Sequence, residues 1–383
     1  KTGEAVPFTS RHATRPNSGT CPFHTQPDGA ATFYDPVVDG PANNGGGEGF
    51  HYCSNSEDER HGGAYCLAFD ENCEVRDYAK RLGGSYDDGC GDPPAGVTTI
   101  WNCSGGKTPW NTWVSCEEDW DNKKGYCYQV DPYGRRDPQK IEQVPPGRLE
   151  AMATDDSGPV PVFYFTEDDD EGAVRRFTPS VTQIPAGWDT LHPDMDSEDQ
   201  GRMDYLVFDD GGTGTSGTFH WSPDLEDGRE SADDHYQWNE GIAFAMIDGH
   251  RTIFFVAKRM ETIFQLNLDS NTWESRSTNA DIAGGGTYRS EPDHIYFYGE
   301  KWLYHAEDAS STPGVYLQDV KANNYFTIFE DMDPVDSGDG EETTGIAISP
   351  DGRCLIGCLQ ERGECFVVKR EDGGSFDLAD QRR

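Results

Sequence analysis

Residues 342–369 read ETTGIAISPDGRCLIGCLQERGECFVVK, and the fold follows from how this stretch divides. Three short runs rich in Ile, Leu, Val and Phe are separated by Ser349-Pro350-Asp351-Gly352 and by Gln360-Glu361-Arg362-Gly363. Apolar, β-branched runs of this length bounded by Gly, Pro and Asp read as strands joined by tight turns. The same unit of apolar strand, polar end, short loop and second strand recurs along the chain. It appears as WVSCE (113–117) before GYCYQVDP, FYFTE (163–167) before GAVRRFTP, IFFVAK (253–258) before TIFQLNL and WLYHAE (302–307) before PGVYLQD. A further copy at the front, FHYCSNSE ending at Glu57, precedes GGAYCLAFD.

The ends of these strands fall at 57, 117, 167, 258, 307 and 360, so the intervals are 60, 50, 91, 49 and 53 residues. A period near fifty with Gly/Asp turns predicts an all-β, six-bladed β-propeller with four-stranded blades. Helical repeats would show a 3.6-residue period, and no long amphipathic helix is evident. The one long interval holds 180–235, rich in Asp, Gly and Ser, which reads as an insertion. The expected organisation is a loop-rich N-terminal arm (1–48), the propeller (49–372) and a C-terminal tail (373–383).

Composition narrows the function. The 383 residues carry 31 Lys+Arg against 70 Asp+Glu, a formal charge of −39. Nucleic acid and anionic membrane surfaces both demand clustered cations, so neither is an expected partner. No apolar run approaches the roughly 18 residues of a membrane span. The 9 Trp, 17 Tyr and 19 Phe supply the buried area that a disordered polyanion lacks. Eleven cysteines point to an oxidising, extracellular setting, with Cys116/Cys127 and Cys358/Cys365 placed to staple hairpins. The odd count leaves at least one sulfur unpaired. The chain opens at Lys1, which suggests a processed or partial sequence.

The acids are patterned with the repeat. Glu150 opens EAMATD, Glu240 opens EGIAFAMID, Asp293 opens DHIYFY and Glu342 opens ETTGIAIS, with Cys103 at the equivalent place in NCSGG. In an antiparallel pair the start of one strand lies beside the end of the next. Glu57, Cys103, Glu117, Glu118, Glu150, Glu167, Glu240, Asp293, Glu307 and Glu342 are therefore expected to meet at one end of the channel. So many like charges repel unless cations neutralise them or protons are taken up. Oxygen ligands favour Ca²⁺ or Mg²⁺, and a thiolate favours iron or zinc. Gly105-Gly106-Lys107 reads as a glycine turn that brings N–H groups and an ammonium to an anion, or as a plain turn with a solvated lysine. Asn102-Cys103-Ser104 matches a glycosylation sequon, expected to be buried and unused.

The run NCSGGKTPWNTWVSCEE (102–118) resembles the signature of PhoX-type alkaline phosphatases, as do FHYCSNSE, FYFTEDDDEGAVRRFTP, NEGIAFAMIDG and ETTGIAISPDGRCLIGCLQERG, in order over roughly 49–372. The resemblance implies a propeller with iron and calcium at its mouth that hydrolyses small phosphomonoesters outside the cell. It implies Cys103 as thiolate ligand, Glu118, Glu150 and Glu240 as carboxylate ligands, Glu57 and Glu342 as further carboxylates, and Asn55 as a phosphate-holding group. Two departures stand out. Trp238 occupies the place of a phosphate-gripping arginine, and the closing motif Gln360-Glu361-Arg362-Gly363 lacks the expected His and Pro. Lys258 and Gln360 also replace acids in the repeat ring. These departures support an alternative expectation, a non-catalytic, calcium-stabilised extracellular propeller used in self-assembly, with 1–48 and 180–235 as contact arms.

Overall fold

The structure, a computed structural model, describes residues 24–35, 49–59, 62–84, 97–119, 121–122, 125–180, 185–194, 196, 200–209, 214–278, 291–309, 312–331 and 341–376, with the backbone of strands Ala5–Thr9 and Ile282–Ala283. Its strands pair into successive antiparallel runs of four. The first run is Pro27–Asp35, Gly49–Ser56, Gly63–Phe69 and Val75–Gly84; the second is Asn102–Lys107, Trp113–Glu117, Cys127–Val130 and Gln139–Lys140. The third is Leu149–Asp155, Val162–Glu167, Arg175–Thr178 and Arg202–Phe208; the fourth is Asn239–Ile247, His250–Ala257, Thr262–Asn267 and Thr272–Ser277. The fifth is Pro292–Tyr298, Trp302–Ala309, Gly314–Asp319 and Asn324–Glu330. The sixth is Glu341–Ile348, Cys354–Leu359, Glu364–Lys369 and, from the far end of the chain, Ala5–Thr9. The first strand of each run packs against the first strands of its two neighbours, and the sixth returns to the first, closing a ring. This is the β-propeller that the fifty-residue period predicts.

The core lies between blades. Each pair of neighbouring runs shares its own apolar cluster. One joins the third and fourth through Tyr164, Phe208, Phe255, Phe264 and Trp273, and another joins the sixth and first through Tyr52, Leu67, Ile356 and Val367. A fully buried aromatic or aliphatic side chain contributes about 2–3 kcal/mol, so each seam is held by apolar burial. Around the axis the inner strands approach so closely that two glycines are needed. A Cβ on Gly29 would lie 2.6 Å from the Ser104 Cα, and one on Gly241 would lie 2.5 Å from the Ile295 backbone nitrogen.

Three boundaries differ from the sequence reading. Of the N-terminal 1–48, expected as an arm, two described stretches belong to the propeller: Ala5–Thr9 completes the sixth run, and Pro27–Asp35 is the inner strand of the first. The 180–235 stretch is only partly surplus, because Arg202–Phe208 is the fourth strand of the third run. Among the described residues the remainder adds Ser216–Ser222, which bridges the third and fourth runs, the short 3-10 helix Trp188–Leu191 and the α-helix Leu225–His235. Of the tail, Phe376 is buried and its N–H bonds to Gly352 O; residues 377–383 lie outside the described residues. Gly105, Gly106 and Lys107 belong to an inner strand rather than a turn, and Lys107 donates to Thr32 O, four residues along the strand from Cys103.

Both expected hairpin staples form, Cys116–Cys127 and Cys358–Cys365. Cys53–Cys66 joins adjacent strands, and Cys73–Cys354 ties the first run to the sixth across the ring closure. Cys103 is free and buried; Cys21 and Cys90 lie outside the described residues. Among the described residues no helix is long and apolar enough to cross a membrane.

Candidate metal centre at the propeller mouth

Two rings of side chains are set by strand register. At the start of the first five inner strands the pairing is interrupted by a β-bulge, and the residue after the last regular pair is Asp28, Cys103, Glu150, Glu240 or Asp293. A bulge re-aims its side chain, here toward the axis. In the sixth blade the bulge falls later, and Thr344 takes the equivalent place, its hydroxyl donating to Asp28 Oδ1 at 2.8 Å. The second ring comes from residues at or just past the end of the second strand of each blade: Glu57, Glu118, Asp168, Lys258, Asp308 and Gln360. All six line one cavity of about 860 Å³, together with Asp28, Cys103, Glu240, Asp293, Glu342, Glu291, Trp238 and Arg259.

Strand alternation separates this ring from its chain neighbours. Glu117, Glu167 and Glu307, expected at the mouth, face the other way. Glu117 accepts from the Ile100 and Tyr126 N–H groups at 3.1 Å, Glu167 pairs with the buried Arg175 at 2.7 Å, and Glu307 accepts from the Tyr316 hydroxyl at 3.2 Å.

The expected metal ligands do converge. Cys103, Glu118 and Glu150 offer ligand atoms all within 4.8 Å of one another, as do Asp28, Glu57 and Cys103. Glu150, Glu240 and Asp293 form a third such group, and Asp293, Asp308 and Glu342 a fourth. Asn55 stands apart. It is fully buried beneath the mouth, where Nδ2 donates to Ser104 O at 2.7 Å and Oδ1 accepts from Trp113 Nε1 at 2.8 Å, so its amide joins the first blade to the second. Asn102 is likewise buried and donates to Ser115 Oγ at 2.9 Å, which leaves the sequon without an exposed amide.

Burial and mutual repulsion dominate the electrostatics of the mouth. Burial, then Asp168, Glu57, Glu150 and Glu240, hold the Glu118 carboxyl well above the usual range. Burial and neighbouring acids do the same to Glu57, Glu150, Glu240 and Glu342. Asp293 is pushed up to about 7 by burial and by Asp28 and Asp308, against the pull of Lys258. Burial and the surrounding acids also raise the Cys103 thiol, which donates to Asp28 Oδ2 at 2.9 Å. Glu118 Oε1 and both Glu150 oxygens are buried without a well-formed hydrogen bond, the Cys103 thiol beside Glu150 being turned to Asp28. Buried carboxylate oxygens of this kind, beside a thiol, fit a bound cation.

A family model, alkaline phosphatase PhoX, matches residues 92–312, more than half of the chain. The chain belongs to the PhoX family. Among solved structures it is similar to Pseudomonas fluorescens PhoX in complex with vanadate, a transition-state analogue. That likeness has a TM-score of 0.69 and 15% identity, and it covers 98% of this chain and 96% of the other. A weaker likeness, TM-score 0.42 and 11% identity over 90% of this chain and 81% of the other, is to a Bacteroides fragilis protein named as a 6-phosphogluconolactonase. No curated protein sequence matches the chain.

Within this PhoX propeller the sequence reading missed Asp28, Asp168, Asp308 and Arg259. Asp28-Gly29-Ala30 repeats the acid-Gly-apolar pattern of Glu240-Gly241-Ile242, a signal present in the sequence. Trp238 does reach the cavity, in a left-handed conformation with φ of 58°, and the Arg259 guanidinium stacks on its ring with Cζ 4.0 Å from the centroid.

Proposed function

We propose that this PhoX-family chain is a metal-dependent phosphomonoesterase that acts outside the cell on small substrates. The observation that carries the reading is the convergence of Cys103 and Glu118, which line the cavity, with the buried Glu150 carboxylate beside them. The cavity volume, about 860 Å³, suits a small ligand. The residues present fit cations: Cys103, Glu118 and Glu150 would hold iron, and the all-oxygen positions, with Asp28 and Glu57, would hold calcium. Bound there, the ions would neutralise the carboxylates and act as Lewis acids toward phosphoryl oxygens.

The chain itself has a second task, to bring an anion into a protein of charge −39. Among the described residues two cations line the cavity, Lys258 and Arg259. Lys258 is held by three carboxylates. Among the described residues no carboxylate lies within ion-pair distance of Arg259, whose planar guanidinium presents paired donors suited to a phosphate group. Arg259 thus takes the part that the resemblance gives to an arginine at position 238, with Trp238 as the platform that orients it. The disulfides support an oxidising, extracellular site of action.

The test is hydrolysis of p-nitrophenyl phosphate by protein loaded with calcium and iron, comparing wild type with Arg259→Ala. Turnover that ends on chelation, with KM raised about tenfold or more in the variant, is expected. Absence of turnover in metal-replete wild type would overturn the proposal.

A further inference from the structure

The mouth is chemically uneven around its ring. On the Cys103 side, buried carboxylate oxygens of Glu118 and Glu150 lack a well-formed hydrogen bond. On the opposite side an ammonium is already built in, although Glu240 Oε1 there, too, makes no hydrogen bond. Lys258 Nζ lies 2.9 Å from Asp308 Oδ2, 3.0 Å from Asp293 Oδ2 and 3.2 Å from Glu240 Oε1. Asp293 and Asp308, with Glu342, are themselves compact enough to hold a cation. The ammonium therefore sits where the geometry of its neighbours would seat an ion.

Its position is fixed by the backbone. Lys258 follows the strand His250–Ala257, donates its N–H to Trp238 O at 2.9 Å and opens the short 3-10 turn Lys258–Met260. The equivalent residues of the other blades are Glu57, Glu118, Asp168, Asp308 and Gln360, so the chain places its one cation of this ring among the acids of the fourth and fifth blades.

We infer that Lys258 is a resident counter-ion that takes the place of one divalent cation, so that bound metal is confined to the half of the mouth bounded by Asp28, Glu57, Cys103, Glu118 and Glu150. An ammonium neutralises one charge and donates hydrogen bonds, but it is not a Lewis acid. Metal chemistry is then directed to the Cys103 side, next to the cavity space that a substrate would enter. The competing outcome is physically open to the lysine: its side chain is 21% exposed, and its flexible stem permits it to swing outward and yield to a divalent ion.

The inference rests on the metal-centre reading, and the experiment separates the two. Wild type, Lys258→Gln and Lys258→Arg are saturated with calcium, freed of excess ion and analysed for metal per chain by mass spectrometry. Lys258→Gln is expected to hold one calcium more than wild type, and Lys258→Arg the same number as wild type. Equal calcium in Lys258→Gln and wild type overturns the inference while leaving the metal centre intact. Wild type that binds no metal overturns the metal centre, whereas an ion gained by Lys258→Gln still upholds the role of the lysine. Should Lys258→Gln fail to fold, anomalous scattering from calcium-soaked wild-type crystals decides. A peak among Asp293, Asp308 and Glu342 overturns the inference, and density for Lys258 there without a peak supports it.

Discussion

Whether a carboxylate belongs to the mouth turns on a single step along the strand. Glu117 and Glu118 are chemically alike and adjacent, yet Glu117 turns inward to the Ile100 and Tyr126 N–H groups while Glu118 faces Cys103 and Glu150. This predicts opposite phenotypes. Glu118→Gln is expected to weaken metal binding at least tenfold, as loss of a ligand or its supporting shell does, with little loss of stability. Glu117→Gln is expected to retain metal but to lose about 1–2 kcal/mol, because the amide keeps only one acceptor oxygen for two backbone donors. Calorimetric metal titration and urea unfolding of both variants distinguish these outcomes; matching metal affinities would contradict the assignment.

At the scale of strands and seams, Asn55, expected to hold phosphate, joins the first blade to the second. Asn55→Ala leaves Trp113 Nε1 and Ser104 O buried without partners, and a loss of about 2–4 kcal/mol in urea unfolding is expected. A loss under about 1 kcal/mol would contradict the clasp. The strands themselves were legible in the sequence, because apolar runs between Gly/Asp turns have few other readings. That Cys103, Glu118, Glu150 and Glu240 meet at one end of the channel was legible too. What escaped was phase: alternation inverts with one residue, and the turn after each second strand does not mark where the strand ends, so Glu167 and Glu307 stood in for Asp168 and Asp308. Asp28 was missed because the long stretch 36–48 separates Pro27–Asp35 from its partner and breaks the period. The helix Leu225–His235 buries only Gly228, Ser231 and Ala232, so it shows no apolar stripe to find.

For the whole molecule, ring closure and charge set the stability. Ala5–Thr9 on Glu364–Lys369 and the Cys73–Cys354 bridge fasten the two ends of the chain, so no blade is left with a free seam. Against this stands the crowd of acids at the mouth. Glu57, Glu118, Glu150, Glu240 and Glu342 are raised well above the usual range, and Asp293 is raised to about 7. Unfolding returns each to about 4. Between these values the folded protein holds more protons than the unfolded chain, so metal-free stability falls as pH rises, from about pH 4 to about 7 for Asp293 and further for the others. Metal-free protein is therefore expected to melt at a lower temperature near pH 8 than near pH 5, and saturating calcium to abolish or invert that trend. A metal-free melting temperature that climbs over this range would contradict the buried, mutually repelling mouth.

The most direct measurement is X-ray absorption at the iron edge on wild type and Cys103→Ser, each loaded with iron and calcium. The wild type is expected to show sulfur in the iron coordination shell, lost in the serine variant together with most of the iron. Iron held without sulfur, or in equal amount by Cys103→Ser, would contradict a centre built on Cys103.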